Sequence, residues 1–398
     1  MKPTASQTEP SPSTQLRKAV FGGSLKEFPI LLAAVLIALA GPAQAVDTFV
    51  YFGSHWKGPN IGFSLANFET DTGKLTTPVF LQEAVAPAYF IISPDGKHLY
   101  TCNSDPGSSL SAYAIDPATA KLTFLNQKPS GGGDPSYISL DATGRYVMVA
   151  NFLGGSICVY ALLPDGSLGE RTAFVQDTGT SVNPAKQSHP HAHSIRVDPS
   201  NRFVLAADLG LDRLYVYRFD SKTGALQPND PPFATVTPGS GPRHMVFDPS
   251  GRFAYLITEE GCTIIRFGWD SNRGVLTQYE AVSTLPKDFT GKSTCAEILM
   301  HPSGKFIYAT NRGANSVAVF SVEAKTGRLT LIQNIPTQGK TPRNCDFDPT
   351  GRWLLVSNQD SSNAVVFSID PNTGRLTQVG EPVKVPAPFC ERFLPVGK

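Results

Sequence analysis

One short phrase recurs seven times along this chain and sets its fold. It is a polar turn, then Gly or a small substitute, then a basic or small residue and Leu. The copies are Gly73-Lys74-Leu75, Ala120-Lys121-Leu122, Gly166-Ser167-Leu168, Gly224-Ala225-Leu226, Gly274-Val275-Leu276, Gly327-Arg328-Leu329 and Gly374-Arg375-Leu376. Successive copies are 47, 46, 58, 50, 53 and 47 residues apart. A period near 50 marks a repeat architecture, in which one supersecondary unit is copied and its neighbours cover each other's apolar faces.

A second phrase precedes each of the last six copies. It runs Ser93 to Gly96, Asp141 to Gly144, Asp198 to Asn201, Asp248 to Gly251, His301 to Gly304 and Asp348 to Gly351, with Pro second in five of the six and Gly or Asn fourth in all. Pro at the second place and Gly or Asn at the fourth suit a type I turn closing a hairpin. Apolar, β-rich runs flank it, such as Tyr137 to Leu140 and Tyr146 to Ala150. Two further strands follow, for example Ser316 to Val322 and Leu329 to Ile332. Four short strands per unit in seven units predict an all-β, seven-bladed β-propeller of antiparallel strands.

The first unit lacks its opening strand, because Thr48 to Ser54 aligns with the second strand of the others. The missing strand is expected from the C-terminus, at Pro388 to Leu394, pairing beside Phe49–Phe52 and closing the ring. Closure removes open sheet edges.

Composition fits this reading. Lys+Arg 34 against Asp+Glu 33 leaves a net charge of +1, so no basic excess points to a nucleic-acid partner. Gly and Pro number 35 and 33 of 398 residues, which suits a turn-rich chain and falls short of a disordered one.

The amino terminus reads as an export signal. Arg17, Lys18 and Lys26 precede an apolar run from Phe28 to Ala40, and Ala43-Gln44-Ala45 gives a small-x-small cleavage site. The run is too short for a bilayer span, which needs ~20 residues. The expected organisation is a signal peptide over 1–45 and one propeller domain over 46–398, with the mature protein periplasmic or secreted and no integral membrane domain. The six cysteines show no close C-x-x-C spacing, and most sit in apolar strand-like runs, as buried free thiols do.

The register points to one face of the ring. Taking each hairpin Gly (or Asn201) as position zero, residues about eight before and eight after are expected to face each other at the open end of the hairpin. At minus eight stand Ala88, Ser136, His193, Arg243, Ala296 and Arg343; at minus seven, Tyr89, Tyr137, Ser194, His244, Glu297 and Asn344. At plus seven stand Asn103, Asn151, Asp208, Thr258, Asn311 and Asn358; at plus eight, Ser104, Phe152, Leu209, Glu259, Arg312 and Gln359. Ionisable groups therefore gather on one face of units four to seven: His191, His193, Arg243, His244, Glu259, Glu297, Arg312 and Arg343. Such a cluster is costly unless it lines a pocket or binds a ligand. The repeated Asn and Asp at plus seven read as strand-end caps. The run His189-Pro190-His191-Ala192-His193 offers three imidazoles, but on one strand they would need a further ligand from the centre, and no H-E-x-x-H motif accompanies them.

Four pairs of stretches carry a family resemblance. They are Ser188 to His193 with Ala206 to Gly210, Gly241 to His244 with Tyr255 to Glu259, Ala296 to Ile298 with Thr310 to Gly313, and Thr341 to Arg343 with Ser357 to Gln359. Together they resemble the seven-bladed β-propeller lactonases, a family that includes 6-phosphogluconolactonases and carboxymuconate-lactonizing enzymes. The likeness spans residues ~47–394. It implies that His191, Arg243, Glu259 and Arg312 are catalytic, and that a small-molecule lactone is hydrolysed to its hydroxy acid without cofactor or metal. His193, His244, Glu297 and Arg343 are expected to bind substrate, with Glu297 and Arg343 open also to a supporting place behind the residues that touch it, and Glu259 or His191 to act as base. Two alternatives stay open: a non-enzymatic ligand- or protein-binding propeller, and a lactonizing or cycloisomerase activity on a muconate-like acid.

Overall fold

A computed structural model describes residues 47–54, 61–104 and 107–396. The chain divides into Met1–Gln44 and Ala45–Lys398, and the fold described here is that of the second unit. The expected signal segment, 1–45, lies outside the described residues. No helix among them is long and apolar enough to cross a membrane.

The second unit is a ring of seven antiparallel sheets. Blades two to seven each run in sequence order from an inner to an outer strand. Blade five is typical, with Pro242–Phe247 innermost, then Phe253–Thr258, Thr263–Asp270 and Val275–Ser283. Blade one draws its inner strand, Pro388–Pro395, from the chain end and pairs it with Asp47–Ser54. The pairing sets Phe49 against Leu394 and Phe52 against Glu391, as the sequence anticipates. The outer strand of blade one is split into Lys74–Leu75 and Val79–Glu83.

The recurrent phrases have separate physical jobs. In the hairpin phrase, the Gly251 amide donates to the Asp248 carbonyl at 2.9 Å, closing the turn. The Asp248 side chain then accepts from the Phe253 amide at 2.7 Å, and Asp198 and Asp348 repeat that contact with Phe203 and Trp353. In the second phrase, the turn glycine lies against an aromatic ring of the preceding blade. A Cβ on Gly374 would stand 2.4 Å from Phe306, and one on Gly327 would stand 2.6 Å from Phe253. Next to these rings, tyrosine hydroxyls reach the same turns: Tyr255 donates to the Gly327 carbonyl and Tyr308 to the Gly374 carbonyl, both at 2.8 Å. The turn that carries this glycine is thus the socket by which a blade locks onto the one before it. Between blades, Val, Ile, Leu and aromatic side chains with almost no exposure fill the core. All six cysteines are buried free thiols.

Candidate active site

The inner strand of every blade breaks its ladder at the same place. In blade five Pro242 pairs with Thr258 and His244 pairs with Ile257, so Arg243 is the extra residue of a bulge. The same irregularity isolates Ala88, Ser136, His193, Arg343 and Phe389, and in blade six it covers Ala296 and Glu297. The simple facing of positions minus eight and plus eight is therefore corrected. The minus-eight residue has no partner across the ladder, because the bulge takes it out of the pairing. Arg243, Arg343, Ser136, Ala88 and Phe389 line one cleft.

The centre of the site is a carboxylate held by two guanidiniums. Glu259 Oε2 accepts from Arg243 Nε at 2.8 Å, and its Oε1 lies 2.9 Å from Arg312 Nη2. Burial opposes the charge on Glu259, but Arg312 and then Arg243 outweigh it and hold the carboxyl far below the usual carboxylate range. Both arginines are anchored from behind: Arg243 donates to the Ala296 carbonyl, and Arg312 to the Cys295 carbonyl at 2.7 Å. Arg312 Nε is buried with no hydrogen-bond partner among the described residues, which is costly unless a ligand supplies an acceptor.

Two histidines stand beside this bridge. His191 rests in the loop before Ala192–Val197, its ring stacked on Phe152 at 4.5 Å. Its amide donates to Asp208 Oδ1 at 2.9 Å, and its Nδ1 lies 3.0 Å from the Phe152 carbonyl oxygen. A carbonyl only accepts, so Nδ1 carries the hydrogen and Nε2 keeps the lone pair. Burial pushes the His191 pKa down, favouring this neutral form. His193 Nε2 lies 3.8 Å from Glu259, and burial together with Arg243 and His244 pushes its pKa well down. The three imidazoles do not share one strand face, since His189 and His191 precede the strand and His193 is its bulge. Among the described residues, no three His, Cys, Asp or Glu side chains converge as a metal site would require.

His244 and Glu297 form a floor across the channel. They meet at 2.8 Å, and Asn344 donates to the other Glu297 oxygen at 2.6 Å. Tyr89 and Tyr137 stack at 4.5 Å, and both rings lie edge-on to His244. Glu297 is 2% exposed, as buried as Arg243 and His244, and its two oxygens are bonded to His244 and Asn344, so it supports His244 from below. Arg343 stacks on Phe389 at 3.7 Å and faces the cleft. Burial and the like charges of Arg243 and Arg312 work against its positive charge. The mouth is thus short of negative charge, and a forming anion there would be stabilised.

Sequence reasoning passed over several contributors. Asp208 sat in the plus-seven column as a cap, and its second job of holding the His191 amide required the loop geometry. The neighbouring Asn caps act structurally: Asn311 Nδ2 bonds the Thr284 carbonyl and Ser316 Oγ. Arg392 lies over the Tyr89 ring at 4.7 Å, and Arg196 donates to the Tyr137 hydroxyl at 2.8 Å. Both sit further along their strands than the columns reached.

Comparison with known proteins agrees with this architecture. A family model described as "Lactonase, 7-bladed beta-propeller" matches residues 49–393. A 6-phosphogluconolactonase of Bacillus subtilis is 35% identical over 347 residues, covering 86% of this chain and 97% of the relative. A 6-phosphogluconolactonase of Formosa agariphila is 30% identical, covering 73% and 84%. Among solved structures, the Pseudomonas aeruginosa periplasmic gluconolactonase superposes with a TM-score of 0.83 at 30% identity, covering 88% of this chain and all of that one.

Proposed function

The chain belongs to the seven-bladed β-propeller lactonase family, and from that premise we propose that its channel mouth hydrolyses a sugar-type lactone to the hydroxy acid. The observation that carries the reading is the Arg243–Glu259–Arg312 bridge beside a neutral His191. Lactone hydrolysis needs a base to activate water and positive charge where the carbonyl oxygen becomes anionic.

His191 is the better base of the two candidates. Its Nε2 lone pair takes a proton from water while Nδ1–H stays fixed on the Phe152 carbonyl. The hydroxide adds to the lactone carbonyl, and Arg243 and Arg312 stabilise the oxyanion, with Arg312 Nε as a ready donor. Collapse breaks the ring C–O bond, and the leaving alkoxide takes the proton back from His191. Glu259 is held too strongly ionised to accept a proton efficiently, so it acts as the clamp that orients both guanidiniums. His193 and His244 wall the cleft, and Arg343 binds the substrate at its far side.

Relatives and neighbours support a sugar lactone through their own names, as 6-phosphogluconolactonases and a gluconolactonase. A panel of δ- and γ-lactones, with and without phosphate, tests the reading. Turnover of a sugar δ-lactone is expected, and saturable binding without turnover of any lactone would favour a binding propeller instead. The leader at 1–45 and the periplasmic neighbour support export of the mature chain. Recovery of protein beginning near Val46 from the periplasm or medium is the corresponding check.

A further inference from the structure

Beside the cleft lies a second cavity of about 130 Å³, which shares Ala88, Ser136, Arg343 and Phe389 with it. It is completed by Ser104, Asp134 and Gln359. None of these three carries a role in the reaction described above. A substrate whose carbonyl sits at Arg243 and Arg312 would extend its far end past Arg343 into this space.

The polar groups of the cavity are unusual for a phosphate site. Gln359 Oε1 is buried and has no hydrogen-bond partner among the described residues, so it presents an unmet acceptor. Asp134 adds a carboxylate, held on a backbone with φ near 51° and fixed through its amide to Ser108 Oγ at 3.0 Å. Against these stands a single guanidinium, Arg343, whose central carbon lies 3.7 Å over the Phe389 ring. An unmet acceptor and a carboxylate call for a ligand that donates hydrogen bonds. A phosphoryl dianion brings only acceptors and two negative charges. The wider charge count agrees. In the bridge and this cavity taken together, Arg243, Arg312 and Arg343 stand against Glu259 and Asp134. The surplus is one positive charge, and the reaction itself creates one negative charge.

We infer that this side cavity is the subsite for the hydroxyl-bearing end of the lactone, and that Asp134 and Gln359 select an unphosphorylated sugar lactone over its 6-phospho counterpart. This rests on the lactonase reading. Asp134 and Gln359 accept from the terminal and adjacent hydroxyls, Arg343 donates to the same hydroxyls, and a phosphoryl group is rejected by like charge and unmatched acceptors.

The test measures kcat/KM for glucono-δ-lactone and 6-phosphogluconolactone on the wild-type protein and two variants. The wild type is expected to favour the unphosphorylated lactone by roughly tenfold to a hundredfold. Asp134→Asn removes the repelling charge, and Gln359→Lys adds a cation where no hydrogen bond of Oε1 is lost. Each is expected to lower that ratio by roughly fivefold or more. A wild-type preference for the phosphorylated lactone would overturn the inference while leaving the lactonase reading standing. So would a ratio that neither variant moves. Turnover of neither lactone, with another lactone of the wider panel hydrolysed, would overturn the inference alone, and turnover of no lactone in the panel would bring down the lactonase reading with it.

Discussion

His191 Nδ1 lies 3.0 Å from the carbonyl oxygen of Phe152, and that contact decides which ring nitrogen is free to act. The contact is made possible by the ring of Phe152 itself, stacked under the imidazole at 4.5 Å. Blade three thus supplies the orienting group, blade four the base, and blades five and six the charged bridge.

A base in this position predicts a defined pH profile. Burial lowers the His191 pKa, and the neutral form is the active one. Activity should therefore persist below the ordinary imidazole value of ~6.5 and fall only as the pH drops further. His191→Gln should lower kcat by roughly 10²–10⁴ and remove that acid limb. The profile of kcat/KM against pH for both proteins checks this.

The Glu259 clamp predicts a stability effect. Glu259→Gln leaves two largely buried guanidiniums without their counter-charge, at an expected cost of about 3–5 kcal/mol in chemical denaturation. The folded pKa of Glu259 is depressed below its unfolded value of ~4.3. Its contribution is thus present above that value and lost as the pH falls towards the folded pKa. The stability gap between wild type and variant should narrow in acid, which denaturation at pH 7 and near pH 3 would reveal.

The repeats and the closure were legible because they recur or leave a gap. Seven copies of one phrase spell seven blades, and a first unit without an opening strand points to Pro388–Pro395. The clustering of Arg243, Glu259 and Arg312 followed from the same register, whereas His191 lies in the loop before Ala192–Val197, outside every column. The bulge at Arg243 was not legible, because an extra residue in a strand shows only in the pairing and nothing in Gly241-Pro242-Arg243-His244 announces it. Glu297 shares its column with Tyr89, Tyr137, His244 and Asn344, but that these side chains meet one another as a floor shows only in the structure. Asp134 lies in a loop before its strand, outside any repeated column, and its place beside Arg343 comes from blades three and seven meeting through the ring.

Two glycines with nearly equal dihedral angles isolate the blade-to-blade socket. Gly374 and Gly380 have φ near 71° and 68°. A Cβ at Gly374 would strike Phe306 at 2.4 Å, whereas at Gly380 nothing lies within 4 Å. Both alanine variants carry the left-handed backbone cost of about 1 kcal/mol. Gly374→Ala should lose a further 1–3 kcal/mol or so from overpacking. Equal melting temperatures for the two variants would contradict the socket.

Ring closure predicts that removing residues 386–398 abolishes folding. The deletion takes away the whole inner strand of blade one and bares the edge of Asp47–Ser54. The truncated chain is expected to aggregate or show no cooperative melting. A soluble monomer with an unchanged Tm would sink the claim.

The most direct measurement of the central claim is kcat/KM of Arg312→Met on a sugar δ-lactone. Arg312 offers its buried Nε, which no described residue uses, to the forming oxyanion. A folded variant with kcat/KM reduced by roughly 10²–10³ is the predicted result. A folded variant that hydrolyses the lactone as fast as the wild type would contradict the account.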